Sequence, residues 1–144
     1  MILVDANLLL YAHDSRSAHH KKALEWWRHA LTTLPVVGIP LHTLSAFLRI
    51  ATHPSVLDRP MTPDEACMVV QQWFDVESVR LISPGSRYWT YLSQVLKDGQ
   101  VTGALVSDAC IAALALEYDA TVYTNDVDFR RFDIRVEFPL RAGA

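Results

Sequence analysis

Only two cysteines occur in the 144 residues, Cys67 and Cys110, and no C-x-x-C spacing joins them. That argues against a structural zinc site and leaves no disulfide framework, so reduced thiols are expected. No apolar run approaches the roughly 18–20 residues of a membrane span, and no basic stretch precedes the apolar start, which together predict a cytoplasmic chain. A basic surplus is missing as well. The formal net charge is -3, which argues against a broad, sequence-independent grip on nucleic acid while leaving room for a local basic rim. The six histidines fall into no H-x-x-x-H or comparable ligand spacing, and His19 and His20 read as solvated helix residues. Internal repeats, low-complexity segments and linkers are absent too.

What is present is an apolar chain interrupted every few residues, 51% hydrophobic and 20% charged, which excludes a disordered segment. Its length suits one domain over 1–144, able to bury about 68–70% of the unfolded surface. Residues 1–4 read as a strand, followed by the short apolar segment Leu8-Leu9-Leu10. Ala23, Leu24, Trp27, Ala30 and Leu31 recur at the spacing of one buried helix face over 18–31, closed by Pro35. A second strand is predicted at 36–39, then a helix through Leu41, Leu44, Phe47, Leu48 and Ala51, stopped near Pro54 and followed by a loop over 55–60. Thr62-Pro63-Asp64-Glu65 has the form of a capping box and opens a helix to Phe74. A strand at 79–82, a helix at 86–96, a helix capped by Ser107 and running to Leu116, a strand at 120–123 and a short one at 135–138 complete the series. Strands separated by helices predict an α/β domain, a mainly parallel sheet with flanking helices.

Acids stand at the edges of three apolar elements. Asp5 ends the first strand, Asp108 lies near a helix start, and Asp126 and Asp128 follow the strand at 120–123. A parallel sheet can bring such positions together, and hard carboxylate oxygens suit Mg2+ or Mn2+ while leaving coordination sites for water and phosphate. Each acid has a plainer reading. Asp108 favours the positive end of a helix dipole by about 0.3–1 kcal/mol, and Asp126 and Asp128 are turn formers. Asp5 is harder to set aside, because an acid directly behind an apolar strand needs a partner or a cation to offset its desolvation.

Val4-Asp5-Ala6-Asn7, Asp108-Ala-Cys-Ile-Ala-Ala-Leu-Ala115 and Tyr123-Thr-Asn-Asp-Val-Asp-Phe129, in that order across nearly the whole chain, resemble a PIN-domain ribonuclease. The likeness is nearer still to the toxin of a VapBC-type toxin-antitoxin pair. It implies a three-layer domain, Asp5, Asp108 and Asp126 as catalytic metal-site acids, and Asp128 as a further metal ligand. Asn7 would help to hold water or phosphate at the site, with Thr124 in a similar supporting place. The implied activity is Mg2+-dependent hydrolysis of RNA, leaving a 5′-phosphate and a 3′-hydroxyl. The implied partners are an antitoxin that occludes the acidic pocket and a second copy of the chain.

One position departs from that pattern. The family usually carries a glutamate on the helix after the second strand, where this chain has Ala46, and no acid occurs between Glu25 and Asp58. Ser45 holds a water in that space or is simply a small helix residue. The missing charge leaves one-metal and two-metal chemistry open, and makes a catalytically weakened binding module the main rival reading. Arg49, Arg130 and Arg131 flank the acids in sequence, either as RNA phosphate anchors or as surface helix charges. Tyr88, Trp89, Tyr91 and Leu92 crowd one helix, and Trp26, Trp27, Trp73 and Phe74 add more aromatic bulk than one face can bury. A dehalogenase-like phosphotransfer domain also places an aspartate behind a strand, but its D-x-D start is not met by Asp5-Ala6-Asn7.

Overall fold

Ile2, Leu3 and Val4 are all buried, as a central strand covered on both faces requires. In the computed structural model, which describes residues 1–56 and 59–141, this strand, β1 (Ile2–Val4), lies in the middle of a five-stranded sheet. The other strands are β2 (Val37–Pro40), β3 (Val79–Ile82), β4 (Thr121–Tyr123) and β5 (Val136–Glu137). Their order is β3-β2-β1-β4-β5, and every pairing is parallel. This is a doubly wound arrangement in which the strand order reverses at β1. The crevice outside the carboxyl ends of β1 and β4 is therefore where such sheets place a ligand.

Helices cover both faces. On one side Ile2 and Val4 meet α1 (Ala6–His13), α2 (His20–Thr33), α3 (Leu41–Ala51) and α4 (Pro63–Phe74), through Leu8, Leu9, Trp27, Phe47 and Trp73. On the other side Leu3 and Val122 meet α5 (Tyr88–Asp98) and α6 (Leu105–Tyr118), through Val95, Ala112 and Leu114. The alternation along β1 thus sends neighbouring side chains into different cores. Residues Ala109 to Ala115 of α6 are all buried, which explains why this helix is apolar on every side.

Most expected elements lie within about two residues of their predicted ends. The capping box forms as expected, with Glu65 N–H donating to Thr62 Oγ1 at 3.1 Å and Thr62 N–H to Glu65 Oε1 at 3.3 Å. Three readings change. The Leu8-Leu9-Leu10 segment belongs to a full helix, α1, whose apolar residues are packed too evenly to show a period. Helix α6 begins at Leu105, ahead of Ser107, because Gly103 adopts φ +61 and the Val106 N–H closes a turn onto its carbonyl. His20 is half-buried with Nδ1 2.9 Å from the Tyr11 carbonyl. The loop expected over 55–60 lies outside the described residues at 57 and 58. Of the aromatics, Trp27 and Trp73 are buried, whereas Trp89 remains 68% exposed.

Candidate active site

Asp5 is fixed by the fold on four sides. Its backbone N–H continues the sheet by donating to the Tyr123 carbonyl at 2.9 Å. Its Oδ1 caps α1 by accepting from Ala6 N–H at 2.8 Å, and the helix dipole favours a negative charge there. Its Oδ2 accepts from Thr124 Oγ1 at 2.7 Å and from Asn7 Nδ2 at 3.2 Å. Thr124 is fully buried and uses its hydroxyl completely, also accepting from Asp126 N–H at 3.0 Å and Asn7 Nδ2 at 3.3 Å. Asn7 Oδ1 in turn accepts from Asn125 N–H at 3.1 Å. The β1 end and the β4 turn are thereby tied into one network, which orients Asp5 and the segment leading to Asp126.

Two helices close the site from the sides. Thr43, fully buried, donates Oγ1 to the Val4 carbonyl at 2.7 Å and so sets α3 against the end of β1. The N-terminal turn of α6 brings Asp108. The result is a cavity of about 550 Å3 at the carboxyl edge of the sheet, lined by Asp5, Asn7, Ser45, Arg49, Asp108 and Asp126 among others. Leu10, Leu41, Ala46 and Ile50 form its apolar side. Asp128 is exposed on the 3-10 turn Val127–Arg131, its N–H donating to Asp126 Oδ1 at 2.9 Å.

The acids sense one another. Asp108 is pushed up to about 7, first by burial and then by the charges of Asp5, Asp126 and Asp128, with Arg131 opposing. Asp5 is also raised, by burial first, against the hydrogen bonds from Thr124 and Ala6, with the Asp126 charge adding to the rise. Such mutual repulsion is what a divalent cation relieves, and the oxygen-only donor set suits a hard ion. Among the described residues, no three histidine, cysteine or acidic side chains already converge as a ready-made metal cage. Asp5, Asp108 and Asp126 share a cavity instead, and Asp128 lies outside its lining on the exposed turn.

The predicted arginines separate. Arg49 lines the cavity, and Arg131 lies near enough for its charge to reach Asp108. Arg130 packs over the Phe138 ring, 4.8 Å from its centroid. Among the described residues, none of the three has a carboxylate within salt-bridge distance. Ser107, expected to cap a helix, lines the cavity without capping α6. Nothing in the residues around Thr43 marks the anchor it makes to β1.

A doubly wound parallel sheet with acids gathered at its switch point is the architecture of the PIN domain, and the PIN domain family pattern matches residues 2–135. The chain belongs to that family. Within it, the chain is similar to Ribonuclease VapC37 of Mycobacterium tuberculosis, 38% identical over 133 residues that cover 92% of each protein. It is also similar to Ribonuclease VapC33 of the same species, 34% identical over 142 residues covering 98% of this chain and 99% of the relative. Among solved structures, FitAB bound to the IR36 DNA fragment matches with a TM-score of 0.74 at 17% identity, over 100% of this chain and 99% of that one. Mycobacterium tuberculosis VapC20, described as a sarcin-ricin loop cleaving toxin, matches with a TM-score of 0.69 at 18% identity, over 90% and 93%. At those identities the structural likeness speaks for the fold alone.

Proposed function

We propose that the chain is a Mg2+-dependent endoribonuclease, the toxin of a toxin-antitoxin pair, with Asp5, Asp108, Asp126 and Asp128 holding the metal and Mn2+ able to substitute. The observation that carries this is the shared cavity in which burial, and then the charges of Asp5 and Asp126, raise the Asp108 carboxyl, within a chain whose relatives at 34–38% identity bear the name ribonuclease. When bound there, the ion supplies Lewis-acid polarisation of a phosphodiester and lowers the pKa of attacking water. The chain's own residues do the rest. Thr124 and Asn7 hold Asp5 Oδ2 in one direction, and Asn7 with Thr124 fixes the turn before Asp126. Arg49 and Arg131, with no acid partner in salt-bridge range among the described residues, would receive the phosphates flanking the scissile bond, and Arg130 would extend that rim toward Phe138. Ser45 lines the cavity beside Ala46 and offers a hydroxyl to water. Water adds to phosphorus in line with the departing 3′ oxygen, leaving a 5′-phosphate and a 3′-hydroxyl.

A proton held by Asp108 near neutral pH must leave before the site binds a cation fully, so metal affinity rises with pH. The acidic cavity also suits a basic side chain of an antitoxin. Solved relatives include VapBC complexes from Rickettsia felis and Salmonella typhimurium, both bound to DNA. A homodimer is proposed with it, and Trp89 and Met68 are large exposed apolar side chains available to such contacts. The weakened binding module stays as the second reading because α3 presents Ser45, Ala46 and Arg49 to the cavity and no acid.

The deciding experiment sequences RNA ends after expression of the wild-type chain and of Asp5→Asn, and repeats cleavage with purified protein in Mg2+ and in chelator. Asparagine keeps an oxygen for the helix cap that Asp5 provides but turns an N–H donor toward Thr124 and Asn7, so thermal unfolding of Asp5→Asn beside wild type separates the lost charge from a disturbed network. New 5′-phosphate ends should appear only with the wild-type chain and a divalent ion. Equal cleavage by Asp5→Asn would end the mechanism, and no cleavage by either would favour the binding module.

A further inference from the structure

The peptide unit that joins Asn125 to Asp126 is held at both of its polar groups. Its N–H, that of Asp126, donates to Thr124 Oγ1 at 3.0 Å, and its carbonyl, that of Asn125, accepts from Arg141 Nη2 at 3.1 Å. A planar peptide gripped at both ends has little freedom to rotate, and its orientation sets where the next Cα sends its side chain. That next side chain is the Asp126 carboxylate. Arg141 is itself pinned, with its guanidinium 5.8 Å from the centroid of the Phe138 ring and its backbone N–H donating to the Phe138 carbonyl at 3.1 Å. Phe138 and Leu140 are buried, which fixes the segment that delivers Arg141 to this one carbonyl. Nothing in the acidic motifs points to an arginine so far downstream.

We infer that Arg141 is a positioning residue for the acidic site, fixing the Asn125–Asp126 peptide plane from outside while Thr124 fixes it from within. The inference rests on the nuclease reading for its effect on rate, but its effect on the turn is independent of activity. Displacements on the order of 1 Å can cost about 100-fold in rate, and one lost clamp of two should cost less.

The test uses the full chain with Arg141→Ala, Arg141→Met and Arg141→Lys beside wild type. In metal-free protein, amide hydrogen exchange at Asn125 and Asp126 should accelerate about tenfold in Arg141→Ala, with the Val122 amide unchanged. With an RNA that the wild type cuts in Mn2+, Arg141→Ala should lower kcat about tenfold and leave KM within about twofold. Arg141→Lys keeps a donor and a cation over the ring and should recover most of both effects. If Arg141→Ala does not fold, Arg141→Met, which keeps an apolar stem but no donor, carries the same expectation. Unchanged exchange at Asn125 and Asp126 overturns the inference even if the wild type cuts RNA. So does a raised KM with unchanged kcat, which would place Arg141 on the RNA instead. A wild-type chain that cuts no RNA removes the nuclease reading and with it the rate effect, whatever the exchange shows.

Discussion

Replacing Asp108 by asparagine should stabilise the metal-free protein, and more so at pH 8 than at pH 5. The Asp108 carboxyl moves from its ordinary 3.8 to about 7 in the folded chain. Below 3.8 both folded and unfolded chains hold the proton and nothing is lost. As pH rises toward 7 the unfolded chain releases the proton first, so stability falls, and above about 7 the full penalty is present. A rise of about three pH units is worth about 4 kcal/mol for a group shut off from water, at roughly 1.36 kcal/mol for each. Asp108 is half-exposed, so solvent screening reduces this to about 1–2 kcal/mol, of which roughly two-thirds develops between pH 5 and pH 8. Thermal unfolding in chelator should therefore show the Asp108→Asn advantage in Tm growing by about 2–4 °C over that interval. Millimolar Mg2+ at pH 8 should shrink or reverse the advantage, because only the wild type keeps every carboxylate for the ion. An advantage of the same size at both pH values in chelator would refute the reasoning.

Three further outcomes follow from other parts of the molecule. Ala46→Glu should return a carboxylate to the cavity face of α3 and lower the Mg2+ concentration for half-maximal thermal stabilisation about tenfold, equivalent to about 1.4 kcal/mol; an unchanged midpoint would show that this face does not meet the ion. His13→Ala leaves the Trp73 Nε1–H donor, now 3.0 Å from His13 Nε2, without its partner, and should cost about 1–3 kcal/mol in urea unfolding at pH 8. Burial, then the His20 charge, lowers the pKa of His13, so its contribution is present above the ordinary 6.5 and is lost as pH falls through the lowered value, where the deficit should close. Gly38→Ala would put a Cβ 2.7 Å from Leu3 Cδ2 and 2.9 Å from the Ile2 carbonyl, between β2 and its neighbours, and should cost about 1–3 kcal/mol by the same measurement.

Apolar run length, helical spacing and proline or capping signals were enough to read the strands, the longer helices and hence an α/β fold from sequence. Such signals are local, and the fold enforces them locally: Thr62 and Glu65 cap α4 with contacts three residues apart. The acids were legible for the same reason, each standing at the end of an element whose direction the pattern already showed. The sequence missed α1 as a full helix and the true start of α6, because a helix buried on most sides shows no period and a glycine turn outweighed a serine cap.

By itself, then, the sequence determined which elements form and which carboxylates stand at their ends. Only the tertiary structure decided which of those groups meet. The order β3-β2-β1-β4-β5 sets Asp5 beside Thr124 across 119 residues of chain, and Asn7 beside Asn125 across 118. The same packing put Arg131 within reach of Asp108, sent Arg130 to Phe138 and brought Arg141 to the turn before Asp126. Local propensity acts over a few residues, whereas burial of both sheet faces selects the strand order, and long-range neighbours exist only once that order is chosen.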